Sequence, residues 1–587
     1  MACVARVAPL PARNGRGAGL NNGIRPLRSR PEPRSQVIDA LGDWHPLLRR
    51  LYAMRGVSTP AELDYALKHM QPVGSLRGID DAVALLLAHR DRRITVIGDF
   101  DADGATSTAL MLRCLADFGY TDVGYLVPNR FAFGYGLTPE IVRVAHERKP
   151  QLLITVDNGV SSIDGVAEAN RLGMQVLVTD HHLPGAELPA AAAMVNPNLD
   201  GSDFGSPHLA GVGVAFYVMA ALGRALESPA LPGAARVPAR YLDLVALGTV
   251  ADVVRLDHNN RILVHHGLER IRAGHSVAGI RSLLRQAGRL PERAVSADLG
   301  FAVGPRLNAA GRLEDMSIGI ECLLTDDDSE ANRLAATLDE INRERQGIEA
   351  SMREQAFAQV DAMDAARLPP CISVFDPKWH QGVVGLIAAR VRERCHRPAI
   401  AFARESQGGL KGSARSVSGV HIRDLLEAVS TASPGLIEKF GGHAMAAGLS
   451  LPEGNFEQFC KVASAQLARL YPEADFSGAL ITDGTLPPEA LTLDFARILR
   501  NAGPWGAGFA EPLFRGEFRV VEQRTVGERH LKLRVQPAAG RQTLDAIAFN
   551  QDGTNVRGTV RLAYRLDVNE WRGVETPQLI VEQIAAV

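Results

Sequence analysis

The chain has 587 residues, 46% of them apolar and 22% charged, with 64 basic against 66 acidic residues and a net charge of −2. That length exceeds what one hydrophobic core supports, so two to four domains are expected, and the mixture excludes a fibrous, collagenous or wholly disordered chain. The near-neutral balance is not that of a uniformly basic or acidic protein, although basic grooves can hide within such a sum. Six scattered cysteines without a CxxC pair argue against a disulfide framework or zinc ribbon and fit a reducing cytoplasm.

The first 36 residues hold seven arginines and one acidic residue, Glu32, among many glycines and prolines. They contain no apolar core of the signal-peptide kind. This arm is expected to be disordered, with a nucleic-acid-contacting arm as the alternative. From about residue 90 to 260, short β-rich runs alternate with helical patterns, as a parallel sheet covered by helices requires. Three runs end in a carboxylate: ITVIGD at Asp99, LLITVD at Asp157 and QVLVTD at Asp180. Strand carboxyl ends in an open α/β sheet meet in one crevice, which would bring these distant residues together. Gly104 is expected to permit a sharp turn after the first run, with Thr106–Leu110 opening the covering helix. The stretch VGVAFYVMAALGRAL, cut by Gly223 and Arg224, is shorter than the roughly 18 residues of a membrane span and reads as a buried helix.

Between 326 and 365, Leu334, Leu338, Ile341, Ile348, Met352 and Val360 recur at helical spacing among charges. The spacing predicts one amphipathic helix of roughly 35 residues, about 50 Å long, enough to connect two domains. A second α/β unit follows from about 370 to 465, opening with the strand CISVF and the helix GVVGLIAARVRER. After about 475, FRVVEQRTV, HLKLRVQ, TLDAIAFN, TVRLAYRLDV and QLIVEQIAAV read as five strands of a small OB-like barrel. Residues 515–541 carry seven basic residues against three acidic ones. The expected fold class is α/β: two α/β domains joined by a long helix, plus a C-terminal all-β OB-like barrel. Expected borders are 1–36, 37–325, 326–368, 369–468 and 469–587.

The stretch DFDADG places Asp99, Asp101 and Asp103 at every second position. Alone, it is read equally well as a turn, a helix cap, a calcium loop or part of a catalytic metal site. The other strand-end residues add Asp157 from TVDNG, Asp180, His181 and His182 from TDHH, and Asp252 from GTVADVV. Carboxylates and imidazoles converging in one cleft suit manganese or magnesium. Two such ions sharing a bridging carboxylate could activate water and stabilise in-line displacement at phosphorus.

DFDADG, TVDNG, TDHH and GTVADV stand in the order and rough spacing of the DHH phosphoesterase superfamily. GPRLNAAGR, QGVVGLIAARV and GGHAMAAG resemble its RecJ branch, with DHH and DHHA1 domains, from about residue 40 onwards. The resemblance implies that Asp99, Asp101, Asp103, Asp157, His181 and Asp252 bind two Mn2+ or Mg2+ ions, with Asp157 bridging. Asp180 would support the histidines, and His182 would face the scissile phosphate or leaving oxygen. Asp103, Asp157, His181 and His182 form the implied catalytic set. Arg306, Asn308, Arg312, Lys411, Ser413, Arg415, Gly441, Gly442 and His443 resemble the family's phosphate and 5′-end anchors, whereas residue chemistry alone allows solvated arginines or tight turns. Trp379 and His380 either stack on a base or close the domain; Trp505 reads as packing. The function implied is a processive 5′→3′ exonuclease on single-stranded DNA, releasing mononucleotides for recombination and repair. A monomer working beside a single-stranded-DNA-binding protein and a helicase is implied by the same likeness. The alternatives are a phosphodiesterase for short oligonucleotides or cyclic dinucleotides, and a silent single-strand-binding scaffold.

Overall fold

The computed structural model describes residues 24–128, 136–364, 367–405, 408–527, 529–551 and 555–587. A five-stranded sheet forms first, in the spatial order Val123–Leu126, Ile94–Ile97, Leu152–Val156, Gln175–Thr179, Ala193–Val195. Every neighbouring pair is parallel. The central runs ITVI and LLITV are buried throughout, which is the continuous apolar pattern of strands covered on both faces. The chain order reverses between Ile94–Ile97 and Leu152–Val156. Ligand crevices form at such a switch point, beyond the strand carboxyl ends, and Asp99 and Asp157 follow these two strands.

Helix Ala102–Asp117 returns from the first strand, and the buried stretch expected from VGVAFYVMAALGRAL is helix Gly211–Leu226. Gly104 does not make a turn. It lies inside the first helix, where an added Cβ would come within 2.6 Å of the Asp99 carbonyl oxygen. The helix therefore begins at Ala102, four residues ahead of the expected start, and packs its first turn directly on the Asp99 backbone.

The connecting helix spans Asp328–Asp361, 34 residues. By contacts the chain divides within it, into Leu27–Ile348 with Leu480–Val587, and Glu349–Ala479. The second unit carries a mixed sheet in the order Lys439–Gly442, Ala446–Leu451, Leu410–Arg415, Ala399–Arg404, Ile372–Phe375. Helices Val384–Cys395, Ile422–Ala432 and Phe456–Leu470 belong to this unit. The closed barrel consists of Phe514–Val526, His530–Pro537, Leu544–Ala548, Val574–Ala586 and Thr559–Trp571, in that order. It occupies less than the 469–587 segment, because Phe456–Leu470 is helical and 480–513 forms a separate lead-in with helix Leu493–Asn501.

Residues 1–23 of the arginine-rich arm lie outside the described residues. Beyond them, Leu27–Ser29 is not disordered but pairs in parallel with Leu480–Thr482. Arg30 and Arg55 both pair with the buried Asp483 at 3.1 Å. A buried carboxylate requires such partners, so this part of the arm uses its charge within the fold.

Candidate metal centre

Four strand ends and two helix starts build the site. Asp101 caps helix Ala102–Asp117, its Oδ1 accepting the backbone N–H groups of Asp103 at 2.9 Å and Gly104 at 3.0 Å. Asp103, in the first turn of the same helix, is wholly buried; its carboxylate accepts the N–H of Gly211 at 2.6 Å and of Val212 at 3.0 Å. Two helix N-termini, each with its partial positive charge, thus converge on the acidic cluster. Asp157 follows its strand with φ 62°, the left-handed region, which for a non-glycine residue is worth about 1–3 kcal/mol of strain and is concentrated at functional sites. Helix Gly211–Leu226 can start against it only as glycine, since a Cβ on Gly211 would lie 2.6 Å from the Asp157 Cβ.

His181 is the hub. Its Nε2 lies 3.1 Å from an Asp157 oxygen, 3.6 Å from Asp252 and 3.9 Å from Asp103. Asp252 comes from the C-cap of helix Leu242–Ala251. Three overlapping donor sets result: Asp99, Asp101 and Asp157; Asp157, His181 and His182; Asp103, His181 and Asp252. Within each set one ligand atom per residue lies within 4.8 Å of the others. Asp157 and His181 each serve two sets.

Asp180 belongs to none of these sets. Its Oδ1 accepts the backbone N–H groups of His181 and His182 at 2.7 and 3.0 Å and faces His182 Nδ1 at 2.7 Å, while Oδ2 accepts the Val160 N–H at 2.8 Å. Burial works against the His182 imidazolium, but the hydrogen bond and charge of Asp180 outweigh it and raise that group to about 9. Two residues that sequence reasoning missed fix the histidine loop: Asn196 and Asn198 donate from their side-chain amides to the carbonyls of His182 and His181 at 2.9 and 2.6 Å. The available signal was NPN immediately after strand Ala193–Val195, at the same carboxyl edge as the aspartates.

Burial, and then the neighbouring carboxylates, raise Asp157 and Asp252 well above the usual range. Burial and Asp101 likewise raise Asp103 to about 7, against the pull of the two backbone amides. Such a set holds protons or cations in place of bare charge, and an oxygen-rich donor set with one or two imidazoles fits a hard or borderline divalent ion. These groups bind protons more tightly in the folded chain than in the unfolded one. Their contribution to stability is therefore complete below the ordinary carboxylate range, near pH 4, and is lost as pH rises above it, for Asp103 through about 7. The melting temperature of the protein in EDTA should fall from pH 5 to pH 8, and Mn2+ should restore more of it at pH 8 than at pH 5. A thermal scan series with Asp157→Asn as control checks this; an equal pH slope in both proteins would contradict it.

The residues expected to grip phosphate separate into groups. Asn308, expected among the phosphate anchors, accepts the Ala102 N–H at 2.8 Å and so clamps the aspartate loop. Arg306 is a correction. Its guanidinium donates to the buried Asp339 at 3.0 Å and to the Ala302 carbonyl at 2.7 Å, so a helix-to-helix ion pair takes it up. Arg312 is half-buried in the last turn of helix Gly304–Leu313. In the second unit, Lys411, Ser413 and Arg415 alternate along strand Leu410–Arg415 on its less buried face. Arg415 donates to the Ser413 hydroxyl at 3.0 Å. The first turn of helix Val384–Cys395 passes closely over both, as a Cβ on Gly385 would lie 2.9 Å from the Arg415 guanidinium. Gly442 is required by its hairpin, with φ 139° and the Ala446 carbonyl 2.4 Å from where a Cβ would stand. Gly441 precedes it on the strand, and the His443 N–H donates to Ala446 at 2.7 Å. Trp379 is buried and donates to Gln355 at 2.7 Å, which makes it a domain-closing residue. Trp505 stacks on Phe509 at 5.1 Å and donates to the Leu499 carbonyl at 2.9 Å, as packing requires.

A doubly covered parallel sheet with carboxylates and a DHH triplet at its carboxyl edge, followed by a second α/β unit, defines a DHH phosphoesterase. Family models match accordingly: DHH family, N-terminal domain, over residues 93–249; DHHA1 domain over 368–469; RecJ OB domain over 482–583. The single-stranded-DNA-specific exonuclease RecJ of Escherichia coli (strain K12) is 50% identical, over 94% of this chain and 97% of its own. That of Salmonella typhimurium is 51% identical, over 95% and 99%. The crystal structure of RecJ in complex with Mn2+ from Thermus thermophilus superimposes with a TM-score of 0.79 at 32% identity, covering 96% of this chain and 79% of that one. The chain belongs to the RecJ family of single-stranded-DNA-specific exonucleases. No helix among the described residues is long and apolar enough to cross a membrane.

Proposed function

We propose that this chain is a 5′→3′ exonuclease on single-stranded DNA, releasing 5′-mononucleotides by metal-dependent phosphodiester hydrolysis in recombination and repair. The observation that carries the reading is the set of donor groups sharing Asp157 and His181 at the switch point of the sheet. Two Mn2+ or Mg2+ ions bound there supply water activation and charge neutralisation for in-line displacement at phosphorus. Asp99, Asp101, Asp103, Asp157, His181 and Asp252 hold them. Asp180 fixes the His182 ring through Nδ1, so that His182 faces the scissile phosphate or the leaving oxygen.

Lys411, Ser413 and Arg415 form the anchor for the 5′ phosphate. Charge-assisted hydrogen bonds of this kind are worth about 1.5–3 kcal/mol. Arg415→Ala should therefore raise KM for a 5′-phosphorylated strand about 10- to 100-fold with kcat little changed; steady-state kinetics with an unchanged KM would remove Arg415 from the site. The barrel contributes a basic surface for unpaired nucleotides upstream, and its presence counts against an enzyme for dinucleotides. The full complement of carboxylates counts against a silent scaffold. In the cell, the chain works in the cytoplasm as a monomer beside a single-stranded-DNA-binding protein and a helicase.

End-labelled single-stranded and duplex DNA with Mn2+ tests the reading. Mononucleotides should appear at once from the 5′ label and from single strands alone. Release first from a 3′ label, or cleavage of dinucleotides only, would overturn it.

A further inference from the structure

We propose that Phe301, with Val253 beside the same carboxylate, forms a nucleobase-stacking subsite at the mouth of the metal centre, and that this subsite favours unpaired nucleotides. The inference rests on the nuclease reading above. Phe301 is 85% exposed, more than any other large apolar side chain among the described residues, and Val253 is 69% exposed.

Neither exposure comes from a frayed end. Phe301 sits in the π-helical turn Leu299–Val303, whose flanking Leu299 and Val303 are both buried. Single π-turns are energetically poor and recur at functional sites, where they redirect one side chain. The turn lies against the end of helix Leu242–Ala251: an added Cβ on Gly300 would be 3.2 Å from Val250, and one on Gly304 would be 3.1 Å from Ala251. The next residue of that helix end is Asp252, which shares a donor set with Asp103 and His181. Val253 follows with φ 62°, a left-handed conformation that a β-branched residue rarely adopts. The turn that carries the exposed Phe301 therefore packs on the helix end that leads into Asp252, and the exposed Val253 follows that carboxylate directly.

The chemistry of the occupant follows from this juxtaposition. A phosphodiester held at the acidic cluster carries a base one sugar away, and a base has an apolar face that stacks on an aromatic ring whatever its sequence. A base inside a duplex is already stacked on its neighbours and paired, so Phe301 gains contact only with an unpaired strand. The subsite is distinct from the phosphate-binding groups and acts on the base.

The test compares 5′-labelled single strands that either carry bases throughout or are abasic at the first three nucleotides. The wild-type enzyme should show about a tenfold higher kcat/KM on the strand with bases. Phe301→Ala should erase that difference by losing activity on the strand with bases, and Phe301→Trp should keep it. In EDTA, without turnover, 2-aminopurine placed in the terminal three nucleotides should be quenched on binding to wild type and to Phe301→Trp, but not to Phe301→Ala. A Phe301→Ala enzyme that still prefers bases tenfold, or still quenches, overturns the proposal. A wild-type enzyme that degrades neither strand overturns the nuclease reading instead, and the quenching result then decides the subsite by itself.

Discussion

Asp157→Asn should lower Mn2+-dependent nucleotide release by about a thousandfold or more, with the circular dichroism spectrum unchanged. The size of the effect follows from position. Asp157 serves two of the three donor sets, and its carboxylate stands 3.1 Å from His181. Losing one such ligand disrupts both halves of the site, and metal stabilisation of charge in phosphoryl chemistry is worth several kcal/mol, or at least three powers of ten in rate. Asparagine keeps the volume and removes the charge. The variant should also lose part of the pH dependence of its melting, because one of the three carboxylates that resist ionisation is gone. Activity within tenfold of wild type would remove Asp157 from the centre of the mechanism.

Gly211→Ala is expected to reduce activity about a hundredfold and stability by about 1–3 kcal/mol, although Gly211 carries no reactive group. A methyl group there would meet the Asp157 Cβ at 2.6 Å, its Oδ1 at 2.8 Å and its Cα at 2.9 Å. Neither side can yield easily. Asp157 ends a buried strand, and the Gly211 N–H is committed to Asp103 at 2.6 Å. Overpacking of this kind typically costs 1–3 kcal/mol, and displacement of a reacting group by about 1 Å can cost a hundredfold in rate. Gly347→Ala is the control: nothing lies within 4 Å of a Cβ there, in the interior of helix Asp328–Asp361, so alanine should leave activity alone and add up to about 1 kcal/mol of stability. Kinetics and thermal melts of the two variants check the contrast; equal behaviour would show that the close approach at Asp157 carries no function.

The strands, the long helix and the barrel were legible because their patterns are local: buried runs ending in aspartate, an uninterrupted 3.6-residue period, five short alternating stretches. The acidic cluster was legible for the same reason where a carboxylate follows a strand, as Asp99, Asp157 and Asp180 do; Asp252, read as a strand-end residue, instead caps the C-terminus of helix Leu242–Ala251. What escaped depends on partners far away in the chain. Arg306 looks like a phosphate ligand until Asp339, 33 residues on, takes its guanidinium. Gly104 looks like a turn residue until the Asp99 carbonyl is found against it. The strand Leu27–Ser29 has no periodicity of its own, and its partner stands more than 450 residues later. The side chains of Asn196 and Asn198 bond to backbone groups, and such roles leave little trace in residue type.

The central claim, that the residues around Asp157 and His181 hold the hydrolytic metals, is tested most directly by anomalous diffraction from crystals soaked in Mn2+. Two manganese peaks should appear at the switch point of the parallel sheet, with Asp157 among the ligands of both and Asp180 bound to His182 rather than to metal. Peaks elsewhere, or a single peak without Asp157, would contradict the account.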